Sequence, residues 1–74
     1  YFAETADMQF TIETEQEEDG RWIAEVLEIP GALVYGETTQ EAIARAQALG
    51  LRVIAERLDN GEDLPALTIS FAMV

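Results

Sequence analysis

Fifteen carboxylates, with no histidine and no cysteine, bound the chemistry open to this chain. The densest acidic run is Glu15-Gln16-Glu17-Glu18-Asp19-Gly20. Glu15, Glu17, Asp19 and Gly20 imitate the first, third, fifth and sixth positions of a calcium-binding loop. The closing position of such a loop demands a bidentate glutamate, and it falls on Val26. The run therefore reads as a solvated hairpin tip rather than a chelate. Covalent catalysis needs a nucleophile with a base in hydrogen-bond reach. The only serine, Ser70, sits in an apolar stretch, and no imidazole is present to activate it. Glycines 20, 31, 36, 50 and 61 form neither a phosphate-cradling loop nor a dinucleotide fingerprint. No catalytic residue, metal site or cofactor is expected, and an enzymatic role is not predicted.

The charge points to a different kind of function. Four arginines and no lysine leave a formal net charge of −11. Nucleic-acid binding rests on neutralising phosphates with Lys and Arg, so direct nucleic-acid contact is disfavoured. An acidic surface instead accelerates encounters with basic proteins, besides keeping a small domain soluble. Glu15, Glu17, Glu18 and Asp19, with Glu25 and Glu28, are the candidate partner-binding residues. The absence of cysteine rules out disulfide staples and thiolate sites. No apolar run approaches the ~20 residues of a membrane span, and no basic leader is present. A cytoplasmic location without membrane contact is the expectation.

Four strands and a helix must position these residues. Residues 1–7 show no periodicity and read as a flexible extension or a remnant foreign to the natural chain. Met8 is the candidate natural start, and 8–74 the single domain. Met8, Phe10 and Ile12 alternate with Gln9, Thr11 and Glu13, the period of a half-buried strand. Arg21 to Leu27 forms a second strand, with Trp22, Ala24 and Val26 facing inward. Ile29-Pro30-Gly31 must break it, because proline lacks an amide hydrogen and glycine turns at positive φ. Ala32 to Tyr35 is a short edge strand bounded by Gly36. Thr38 and Glu41 form a capping box, opening a helix from about Thr39 to about Leu58 that Asp59-Asn60-Gly61 stops. Ala42, Ile43, Ala46, Leu49, Val53 and Ile54 make its core stripe, with Gly50 allowing close approach to the sheet. Ala44, Ala48, Leu51, Ala55 and Leu58 make a second apolar strip on the far side. Leu67 to Val74 alternates again and closes the chain with an uncharged strand.

The expected fold is α+β: β-β-β-α-β, a four-stranded mixed sheet in the order 3-2-1-4 with one helix on one face. A right-handed crossover brings the last strand parallel to the first. The inner row is Phe10, Ile12, Trp22, Ala24, Val26, Ile69 and Phe71, facing Ile43, Leu49 and Val53. So small a core is marginal, and a long uncharged edge invites pairing. A homodimer or higher oligomer is therefore expected, through the helix strip or through Thr68, Ser70 and Ala72 on the last strand.

Asp19-Gly20-Arg21-Trp22, then Leu27-Glu28-Ile29-Pro30-Gly31, Gly36-Glu37-Thr38 and Glu41-Ala42 stand in the order and at the spacings of the HicB antitoxin signature. The chain resembles that family from about Met8 to Pro65. It departs from the pattern at Leu27, where a proline is common, and the 74 residues include no DNA-binding extension of the kind many members carry. The resemblance implies a truncated ribonuclease H-like fold whose ancestral carboxylates are lost; Glu13, Glu41 and Glu56 are the nearest acids, and the last strand supplies none. It also implies an antitoxin that covers the active site of a small, basic, RNA-cleaving HicA-like toxin. The alternative is an orphan, self-associating structural domain of the same fold with no toxin partner.

Overall fold

The computed structural model describes residues 6–61 and 67–74. Its elements are β1 (Ala6–Gln16), β2 (Trp22–Val26), β3 (Leu33–Gly36), α1 (Thr39–Asp59) and β4 (Leu67–Met73). They build one four-stranded sheet in the order β3-β2-β1-β4, with β4 parallel to β1 and the other pairs antiparallel. The expected α+β architecture and strand order are thus present. The expected extension at 1–7 lies outside the described residues for 1–5, while Ala6 and Asp7 already belong to β1.

β1 divides its partners between its two halves. Residues 6–12 pair with β4 and residues 12–16 pair with β2, so Ile12 alone is shared. Beyond β2 the chain turns through Ile29-Pro30-Gly31-Ala32, closed by the Ala32 amide donating to the Ile29 carbonyl at 3.1 Å. Proline at the second place and glycine at φ 79° at the third match a type II turn, which requires positive φ there.

The helix begins where expected and ends one residue later. Thr38 caps it, its hydroxyl accepting from the Glu41 amide at 3.1 Å. The reciprocal arm differs from a capping box: the Glu41 carboxylate accepts from the amide of Glu37 at 3.2 Å, one residue before the cap. Arg45 bonds the same carboxylate at 3.0 Å and donates to the Tyr35 carbonyl at 2.7 Å, tying the first helical turns to β3.

Ala42, Ala46, Gly50 and Ile54 are the buried helix residues, at a spacing of four. Three of them are small, which lets the helix lie close upon the sheet. Ile43, Leu49 and Val53, expected to lead the core, are half-buried at its flanks, as are Trp22, Ile69 and Phe71. Close approach moves the line of contact onto the small residues and pushes the longer side chains aside. Only Ile12 and Val26 are large and fully enclosed among the described residues.

Candidate interaction surface

The acidic hairpin is built by its own turn. The Gly20 amide donates to the Glu17 carbonyl at 3.0 Å and the Glu17 amide to the Arg21 carbonyl at 2.7 Å. β1 runs to Gln16, so Glu15 belongs to the strand and the loop is shorter than the acidic run. Asp19 is turned back on the chain, accepting from the Arg21 amide at 3.1 Å and from its guanidinium at 2.9 Å. Those bonds, the amide's first, hold its carboxyl below the ordinary aspartate value. Glu17, Glu18 and Asp19 line a shallow, open depression. Among the described residues no three carboxylates converge on a point that could hold a metal ion.

The sheet face away from α1 carries the remaining candidates. Strand alternation sends Glu13 and Glu15 of β1, Ile23 and Glu25 of β2, and Leu33 and Tyr35 of β3 to this side. Register sets Glu13 directly opposite Glu25, Glu15 opposite Ile23 and Ile23 opposite Tyr35. Two like charges facing each other across a strand pair repel. Among the described residues the only ion pairs are Arg21 with Asp19 and Arg45 with Glu41, so neither Glu13 nor Glu25 is ion-paired. The guanidinium of Arg21 lies 4.6 Å from the centre of the Tyr35 ring, closing one side of the surface. Leu33 and Tyr35 remain 44% and 39% exposed, so apolar area adjoins the carboxylates. Thr68 and Ser70 are exposed and Ala72 half-buried on the same face, at the β4 edge.

Glu28 stands apart from the other candidates. Its two carboxylate oxygens accept from the Thr11 amide and the Thr11 hydroxyl, each at 2.6 Å. The Leu27 amide meanwhile donates to the Thr11 carbonyl at 2.9 Å. The carboxylate thus replaces the carbonyl that a continuing β2 would have offered. Bonds from the Thr11 hydroxyl, then its amide, hold the Glu28 carboxyl below its ordinary value of 4.5. A depressed folded-state value adds stability that is complete above the ordinary value and lost as pH falls through the depressed one. Glu28→Gln should therefore be less stable than wild type at neutral pH, and the gap should narrow in acid. Urea melts at several pH values check this; curves separated by a constant amount would remove the clasp.

Sequence reasoning placed the hairpin and Glu25 on the surface but missed Glu13 as their neighbour. The signal was present: Glu13 and Glu25 share the polar side of two alternating strands, and hairpin length sets which residues face each other. Ser70 lies exposed on the outer face, opposite Gln9 of β1. Among the described residues no helix is long and apolar enough to cross a membrane. No protein-family model, curated protein or solved structure matches this chain.

Proposed function

We propose that this chain is a HicB-like antitoxin domain that binds a small, basic, RNA-cleaving HicA-like toxin and covers its active site. The observation that carries the reading is the in-register pair Glu13 and Glu25, unneutralised within the described residues and bordered by exposed Leu33 and Tyr35. A protein surface bearing arginine or lysine beside apolar side chains would relieve that repulsion and cover the apolar area in one step. The sites of the family-like signature support the reading in a second way. Asp19-Gly20 forms the hairpin tip, Pro30-Gly31 the turn, and Thr38 and Glu41 the helix cap. Those residues build the scaffold, which leaves recognition to the acidic face. The role is non-catalytic: the domain acts by occupying its partner.

Charge attraction governs association more than dissociation. Replacing Glu17 and Glu18 with lysine should slow association with a basic HicA-like protein by about tenfold or more at low salt. Added salt should narrow the difference, and the dissociation rate should change less. Stopped-flow association at two salt concentrations tests this. Equal on-rates would take the hairpin out of the interface, and no association at either salt would sink the antitoxin reading.

A further inference from the structure

The helix strip, unlike the acidic face, has a geometry that selects its own partner. Ala44, Ala48, Leu51, Ala55 and Leu58 recur at spacings of four, three, four and three, the seam of a two-helix coiled coil. All five lie within α1, turned away from the side that carries buried Ala42, Ala46, Gly50 and Ile54. Leu51 and Leu58 are 47% and 44% exposed, and Ala44 and Ala55 are exposed beside them. A lone amphipathic helix on a sheet needs one apolar stripe; this one carries two.

The charge distribution names what covers the second stripe. α1 holds Glu41, Glu56 and Asp59 against Arg45, Arg52 and Arg57, so it is neutral and the whole net charge of −11 lies outside it. A second copy can approach this side without meeting the acidic layers. We infer that two copies of this chain pair through α1 in an antiparallel arrangement, seam against seam, with the sheets outermost.

Two features fit that arrangement. Alanine alternating with leucine along the seam lets the helices approach closely. Finally, two helix thicknesses, roughly 20 Å, separate the acidic sheets by more than twice the ~8 Å Debye length at physiological salt. Pairing along the uncharged β4 edge would instead set the acidic faces side by side in one continuous sheet.

Sedimentation equilibrium across the micromolar range tests the inference, which does not rest on the antitoxin reading. A monomer–dimer equilibrium is expected. Leu51→Glu changes an exposed residue, so the fold should persist by circular dichroism while the dissociation constant rises about tenfold or more. Thr68→Lys, which blunts the β4 edge, should leave the dimer intact. A monomer throughout, or a dimer indifferent to Leu51→Glu and lost in Thr68→Lys, overturns the proposal. Leu51→Glu should still bind the basic partner, because the acidic face lies on the other side of the sheet, so the two readings fail separately.

Discussion

Gly36→Ala is expected to destabilise this domain severely, and Gly50→Ala to be almost silent. A Cβ at Gly36 would lie 2.5 Å from the Ala42 nitrogen and 2.9 Å from its Cα, both backbone atoms of the first helical turns. Neither can move without lifting the helix from β3 and breaking the Arg45 bond to the Tyr35 carbonyl. Overpacking commonly costs 1–3 kcal/mol where side chains can adjust, so a clash with backbone should cost about 3 kcal/mol or more. For a domain of this size that lowers the melting temperature by roughly 12 °C or more. A Cβ at Gly50 meets the Phe71 ring at 3.2 Å and the Phe10 ring at 3.4 Å. Phe71 is half-buried on an edge strand and can tilt away. The gain in helix propensity, about 1 kcal/mol, then offsets the crowding. Thermal melts of both variants decide the point; equal losses would mean that the helix does not sit on β3 as described.

Phe10→Ala should be the most damaging large-to-small change. Phe10 is 3% exposed, its ring lies 5.7 Å from that of Phe71, and it forms the floor beneath Gly50. Removing such a ring commonly costs about 3–5 kcal/mol. A domain of this length has a total stability of roughly 4–11 kcal/mol, so the variant should lose a large share of it and melt roughly 12 °C or more below wild type. The helix cannot settle into the gap, because the Ala42 end is already in contact with Gly36. A urea midpoint equal to wild type would place Phe10 outside the core.

The strand order and the helix were legible because they rest on local rules. Period-two alternation in β1 and β4, Pro30-Gly31, and Thr38 with Glu41 each act within a few residues. The ranking inside the core was not legible. The stripe that named Ala42, Ala46 and Ile54, with Gly50 for close approach, is the buried one; periodicity did not show that size would then push Ile43, Leu49 and Val53 to its flanks. Glu28 shows the same limit at the surface. Its charge suggested a partner, but its place just past the end of β2 gives it a backbone amide to satisfy, and only the three-dimensional path of the chain shows that amide to be Thr11. Glu13 was readable in principle, had the strands been paired residue by residue.

The division of β1 between two partners bears on how the native state opens. β4 holds only the first half of β1, and β2 with β3 holds only the second, with Ile12 as the single common rung. Releasing β4 therefore breaks no hydrogen bond of the β1–β2–β3 meander, and the contact of α1 with β2 and β3 can survive it. Such a fold has a built-in line of subglobal opening. Amides of 67–74, and those of β1 turned toward them, belong to a unit that can exchange without global unfolding. The amides of β2, paired on both sides, and of the helix N-terminal half report the stability of the whole. Ile12, fully enclosed where the two units meet, is the residue whose packing decides whether they open one at a time or together.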